Sequence, residues 1–180
     1  MANRADLHSA FKDYQQRFPY EIDTVTQFTN FVQAHSDCFE RSLQIGHITG
    51  SAWVINRSGT CALFTLHRKL GLWLQLGGHA DGNPDVAQVA MREAQEESGL
   101  TNLALVEEGI FDLDAHTIPA RGSEPAHIHY DVRYLIQATS EEPLSISEES
   151  HDLAWFSLEE IKERFQDESI LRMAKKWQNG

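Results

Sequence analysis

Glu93, Glu96 and Glu97 stand at i, i+3 and i+4 within a stretch, Asn83 to Gly99, whose ends read as the two ends of one helix. At that spacing the three carboxylates share a helix face within about 100° of arc. Traced back toward the helix start, the face meets Val86, Val89 and Ala90, the residues of a core stripe, and no Lys or Arg stands on that stripe. Like charges entering a partly buried surface repel and lose hydration unless something cationic sits among them. A hard divalent ion such as Mg²⁺ or Mn²⁺ suits the place, because it takes oxygen ligands. The competing reading is an acidic surface helix, since charge runs are usually solvated faces. Context favours the ion. Asn83 offers an N-cap, Pro84 the first helical position and Gly99 the C′ stop. Asp85, Gln88, Arg92 and Gln95 gather on another side and supply the water-facing surface.

Length and composition bound the rest. The 180 residues, 41% of them hydrophobic, suffice for one sizeable core with an accessory segment. With Lys+Arg 15 against Asp+Glu 27, the net charge of −12 argues against general binding of nucleic acid or anionic membrane, because no basic stripe neutralises many phosphates. A small phosphate substrate remains compatible where a metal supplies the positive charge. The start lacks the apolar core of a signal peptide and no run reaches membrane-spanning length, so the cytoplasm is the expected compartment. Cys38 and Cys61 form neither a C-x-x-C nor a disulfide framework, and no chemistry is assigned to them.

Leu7, Phe11, Tyr14 and Phe18 recur at helical spacing, and Pro19 closes that helix. A second helix is expected over 24–34, capped by Asp23, with Val25, Phe28 and Val32 inward. These helices could pack on the domain, cover a cleft or join two subunits, a homodimer included. Strands are expected at 48–56 and 61–66 around the turn Arg57 to Thr60, then at 73–76, 103–108, 110–115 and 127–138, with Pro119 to Pro125 as a loop. A last strand, 153–156, leads to Ser157, which caps a helix in a capping-box pattern with Glu160. Helices before, between and after short strands predict an α/β sandwich with a mixed sheet. The expected organisation is an N-terminal helical extension, 1–45, packed on a domain at 46–180.

Gly78, then Arg92-Glu93, Glu96-Glu97 and Gly99-Leu100, with Ala94 as a small apolar residue between them, resemble the Nudix box, G-x5-E-x7-R-E-U-x-E-E-x-G-U. One position departs. The glutamate expected after the five-residue spacer is Pro84, and Asp85, pointing to the side of Arg92, is the expected substitute. The run His67 to Gly78 resembles the approach to the box in many members. The resemblance implies a Nudix-type α/β/α sandwich and a hydrolase of a nucleoside diphosphate linked to another moiety, or of a related pyrophosphate. It implies attack on phosphorus by metal-activated water, with Glu93 and Glu97 as first ligands to Mg²⁺ or Mn²⁺ and Glu96 sharing the cluster. The Gly77 carbonyl is the implied backbone ligand, Arg92 orients Glu93, and Glu148 or Glu149 is a candidate general base. Arg68 and Lys69 could steer phosphates.

A second constellation is His127-x-His129-x-Asp131-x-Arg133, which alternates onto one face of a strand while Ile128, Tyr130, Val132, Tyr134 and Ile136 take the other. Two imidazoles and a carboxylate at that period suit a transition metal or a phosphate pocket, and folding would have to bring His79 and His116 to enlarge it. The competing reading is a polar sheet face with paired side chains. Two other functions stay open beside the hydrolase. One is a non-catalytic Nudix-fold module that senses a nucleotide or metal, to which the missing spacer glutamate gives weight. The other is a relative of isopentenyl-diphosphate isomerases, which Cys61 fits poorly because it lacks that family's cysteine context.

Overall fold

The computed structural model describes residues 4–122 and 125–180, so Ser123 of the Pro119–Pro125 loop lies outside the described residues. The element order is α1 (Arg4–Arg17), a 3₁₀ turn (Pro19–Glu21), α2 (Ile22–Ala34), β1 (Gly46–Ile55), β2 (Cys61–His67), β3 (Trp73–Leu74), β4 (Leu76–His79), α3 (Val86–Ser98), β5 (Leu103–Leu105), β6 (Asp112–Ile118), β7 (His127–Ala138), β8 (Ser150–Ser157), α4 (Leu158–Arg164) and α5 (Glu168–Asn179). Among the described residues the strands make one mixed sheet in the order β3-β2-β1-β7-β5, with β4 on β1, β6 on β7 and β8 on β2. Its centre is the parallel pair β1/β7, in register from Gly46↔Ile128 to Ile55↔Gln137, and the other pairings are antiparallel. Helices cover both faces, as an α/β sandwich requires.

One apolar cluster joins Ile48, Ala52, Val132, Tyr134 and Ile136 to the inward residues of α1, α2 and α3. Phe11 meets Phe28 edge-on, and Phe31 stacks on Tyr130 of β7 at 3.8 Å between centroids. The buried Phe11 and Phe28 each contribute about 1.5–3 kcal/mol through lost apolar exposure. Gly50 lets α3 sit close on β1, because a Cβ there would lie 3.0 Å from the Val86 carbonyl oxygen and from Val89 Cγ1. On the other face, Trp53, Phe64, Phe111 and Phe156 pack against Ile161, Ile170 and Met173 of α4 and α5.

Polar atoms lock these layers. Asp112, fully buried, accepts from Arg133 Nη1 at 3.1 Å, from Arg172 Nε at 2.9 Å and from Lys176 Nζ at 2.7 Å. Lys176 also donates to Tyr14 Oη at 2.5 Å and pairs with Glu21 at 2.8 Å, which ties α5 to the α1/α2 corner. Burial pushes the Asp112 carboxyl up, but Arg172, Arg133 and Lys176 outweigh it and hold the group below the ordinary carboxylate value. No helix among the described residues is long and apolar enough to cross a membrane.

Several boundaries differ from the sequence reading. Helix α2 starts at Ile22 directly from the 3₁₀ turn, so Asp23 lies in its first turn instead of capping it. Helix α3 starts at Val86, with Asp85 as N-cap accepting from the Gln88 amide at 3.1 Å. Asn83 cannot cap because its side chain closes a turn of its own on the Asp85 amide at 2.9 Å, and Pro84 sits inside that turn. The expected strand at 73–76 is two strands with different neighbours, β3 on β2 and β4 on β1, the change of partner falling at Gln75. Strand β5 is only three residues long, and β6 begins at Asp112. Ser157 and Glu160 do form the capping box of α4.

Candidate active site

Strand β4 runs antiparallel to β1 with Ser51↔Gly77, Gly50↔Gly78 and Thr49↔His79 opposed. The chain then turns through Asp81 and Gly82, both at positive φ, and enters α3. Asp81 is of a residue type that visits that conformation, and its carboxylate pairs with the Arg41 guanidinium, with Nε at 2.5 Å. The turn returns the last two turns of α3 to the side of β4. There the Gly77 amide donates to Glu97 Oε1 at 2.9 Å. Gly78 has no room for a side chain, since a Cβ would lie 2.5 Å from Glu93 Cδ and Oε2. Arg92 Nη2 donates to Glu93 Oε1 at 2.6 Å and to the His79 carbonyl at 3.1 Å, fixing the carboxylate against the strand. Gly99, at φ 74°, ends the helix.

The carboxylates are crowded and partly dry. Burial raises Glu97 to about 7; the Gly77 amide pulls the other way, while the charges of Glu93, Glu149 and Glu96 add to the rise. Burial also raises Glu93, against the pull of Arg92. Glu96 differs from the expectation of a shared half-buried face: it is exposed, because the buried stripe passes through Ala94 and Ser98 and leaves Glu96 on its outer flank. Glu149 arrives from the start of the β8 region, where its carbonyl accepts from the Arg68 amide at 2.8 Å. The Arg68 guanidinium donates to the Ser150 carbonyl at 3.1 Å, and Lys69 is exposed on the same turn. The contact between Gly77 and Glu97 is made by the N–H of Gly77. Asp85 is spent on capping α3 and does not meet Arg92, whose partners are Glu93 and the His79 carbonyl.

This donor set suits a hard divalent cation: carboxylate oxygens whose mutual repulsion is incompletely balanced by Arg92, with Glu93 lying close against the strand at Gly78. The imidazole set of the neighbouring sheet face has a different chemistry. Asp114, Asp131, Thr49 and His79 line one row across β6, β7, β1 and β4, and His116, His129 and His47 line the next. His79 and His116 therefore do come beside His129, with ring centroids at 5.0 and 5.7 Å. Burial lowers His79 to about 4 and His129 to about 2, and neighbouring imidazoles push the same way. Asp131 departs from the expected histidine site. Buried beside His129, it accepts from Thr49 at 2.9 Å, Ser51 at 2.7 Å, Gln75 at 3.3 Å and Arg133 Nε at 2.7 Å, and these bonds turn it toward the protein. His47 was missed by sequence reasoning. A single histidine at the head of a strand gives no signal until the parallel register sets it beside His129.

A family model described as NUDIX domain matches residues 47–177. Among solved structures, the fold is similar to a NUDIX family hydrolase from Clostridium perfringens, at 26% identity and a TM-score of 0.55, covering 74% of this chain and 97% of that one. It is also similar to an Ap4A hydrolase from C. elegans (18% identity, TM-score 0.60, 73% and 95% covered) and to a MutT NUDIX hydrolase from Burkholderia pseudomallei (23%, 0.56, 73% and 97%). No curated protein sequence matches the chain. The chain belongs to the NUDIX domain family and is a Nudix-type pyrophosphohydrolase.

Proposed function

We propose that the chain hydrolyses a nucleoside diphosphate linked to another moiety, or a related pyrophosphate, in a reaction that depends on Mg²⁺ or Mn²⁺ held by Glu93 and Glu97. The observation that carries this reading is the convergence of Glu93 and Glu97 on β4, with Glu97 Oε1 on the Gly77 amide at 2.9 Å and Glu93 paired with Arg92 at 2.6 Å, where burial and neighbouring acids raise the Glu97 carboxyl. When bound, the ion would neutralise charge on the phosphate oxygens and lower the pKa of water at the site. The protein's own part is placement. The Gly77 amide fixes the Glu97 carboxylate, Arg92 fixes Glu93, and the exposed Glu96 completes the acidic rim. The Gly77 carbonyl is the proposed backbone ligand. Glu149, whose charge reaches both Glu93 and Glu97, takes the proton of the attacking water on a carboxylate oxygen. Arg68 and Lys69 draw the substrate phosphates toward the site. The partner in this reading is a small molecule in the cytoplasm, handled by a domain at 46–180 that carries 1–45 as an extension.

A non-catalytic sensor drew its support from the missing spacer glutamate. Arg92, the residue such a glutamate would assist, has Glu93 and the His79 carbonyl as partners instead, so the loss leaves the arginine anchored. The test is a panel of nucleotide and pyrophosphate substrates with Mg²⁺ or Mn²⁺, with products identified by mass. Turnover that chelator abolishes and that Glu97→Gln removes supports the proposal. Full turnover in excess chelator overturns it, and binding without turnover across the panel would favour the sensor.

A further inference from the structure

The sheet face beside the carboxylate site gathers histidines from β1, β4, β6 and β7. His47, second in β1, stands directly opposite His129 in the parallel register, and His127 precedes His129 by two residues on the same face of β7. His116 pairs with His129 from β6, and His79 stands opposite Thr49, which shares the face of His47. The sheet ladder sets these positions, so the rings are held by regular backbone.

The hydrogen bonds also fix which nitrogens point inward. His127 Nδ1 lies 2.9 Å from the Pro125 carbonyl, which only accepts, so Nδ1 carries a proton and the neutral ring presents a bare Nε2. That Nε2 faces His129 Nε2 at 3.2 Å. His47, 2% exposed, adds a third nitrogen, and one ligand atom from each ring lies within 4.8 Å of the others. A tetrahedral ion with metal–nitrogen bonds of about 2.0–2.1 Å holds its nitrogens about 3.4 Å apart. The pair His127/His129, at 3.2 Å, already lies near that spacing, and a His47 nitrogen lies within 4.8 Å of both. On the flank, His116 Nδ1 lies 3.0 Å from Asp114 Oδ2, the carboxylate–imidazole pairing that orients histidines around metals.

We infer that His47, His127 and His129 bind one transition-metal dication of the zinc type, its fourth position facing His79 and His116. Imidazole sets favour Zn²⁺, Cu²⁺ or Ni²⁺ over Mg²⁺ and Mn²⁺. The site is thus chemically separate from the glutamate pair, although the bond from Arg92 to the His79 carbonyl joins their walls. Its existence does not depend on the hydrolase reading.

The full chain, stripped with chelator, is titrated calorimetrically with ZnCl₂ in about 1,000-fold excess Mg²⁺, and Co²⁺ is used as a coloured probe. The expected result is about one equivalent of zinc that Mg²⁺ does not displace, with visible Co²⁺ bands of a tetrahedral nitrogen site. His127→Gln and His129→Gln each abolish both signals, with folding checked by circular dichroism. Glu97→Gln and His151→Gln, the latter at an exposed position, keep them. Should the variants misfold, imidazole NMR of the unmutated chain decides: zinc should move the resonances of His47, His127 and His129. No zinc retained at micromolar concentration, a stoichiometry indifferent to His127 and His129, or shifts confined to other histidines would each overturn the site and leave the rings as ordinary aromatic packing.

Discussion

The Gly77 amide and Glu97 Oε1, 20 positions apart in sequence, meet at 2.9 Å and clamp the last turn of α3 to strand β4. Glu97→Gln keeps the shape and can keep the amide bond, but loses the negative charge. Turnover should fall by more than the roughly 10–100-fold typical of groups that only support a metal ligand. The ion-free variant should melt at or above the temperature of the ion-free wild type, because the repulsion from Glu93 and Glu149 is relieved. Calorimetry in chelator checks this, and a lower melting temperature for the variant would contradict it.

The same group sets a pH dependence. Glu97 titrates near 7 when folded, against an ordinary 4.5, so between those values the native state binds the extra proton. Stability from this source is full below about 4.5 and is lost as pH rises through about 7, by at most about 3 kcal/mol. Glu93 acts in the same direction. Denaturation in chelator at pH 5 and pH 8 should show the loss, Glu97→Gln should flatten it, and saturating Mg²⁺ should offset it by binding the native state.

Gly78→Ala tests the approach of strand to helix. A methyl group 2.5 Å from Glu93 Cδ must push the carboxylate aside. The expected effect is a loss of apparent Mg²⁺ affinity of about 10–100-fold, read from activity against Mg²⁺ concentration. An unchanged Mg²⁺ profile would mean that Glu93 does not need this position.

Asp85, expected from the sequence to stand in for the spacer glutamate, caps α3 instead. Asp85→Ala should therefore cost about 0.5–2 kcal/mol of stability and leave turnover at saturating Mg²⁺ unchanged. Asp81→Ala should lower turnover more, because it removes the Arg41 contact and loosens the turn that presents the His79 carbonyl to Arg92. Kinetics of the two variants side by side decide the matter.

Asp112→Ala leaves Arg133 buried without one of its acids and removes the shared partner of Arg172 and Lys176. Breaking such a buried group should cost about 3–5 kcal/mol, measured by urea denaturation. In wild type the depressed Asp112 carboxyl contributes stability above its ordinary value of 3.8, lost as pH falls through its lower folded value.

Local chemistry was legible in the sequence where it repeats locally. The spacing of Glu93, Glu96 and Glu97, the Gly99 stop, the Ser157 box and the alternation of β7 all rest on neighbours within a few residues. Pairing across the chain was not. The placement of His47 beside His129 depends on a register 82 residues away, as does the bond of Thr49 to Asp131. Asp131 looked like a companion of the histidines because period 2 puts it on their face; its hydroxyl and guanidinium partners come from strands whose order no local pattern encodes. Asn83 and Asp85 are both good caps, and only the turn around Pro84 decides between them.

The carboxylate of Asp112 takes its hydrogen bonds from residues 60 and 64 positions later in the chain, and the same lysine reaches a tyrosine 162 positions earlier. A nascent chain that has just exposed Asp112 therefore cannot close this junction, and it must carry an acid destined for burial until α5 has been made. Docking of α5 can follow only once residues Glu168–Asn179 have been made. Until then Trp53 lacks the Trp177 ring that packs on it at 6.1 Å between centroids, so truncation before α5 should lower the yield of folded protein, as measured by expression of the shortened chain.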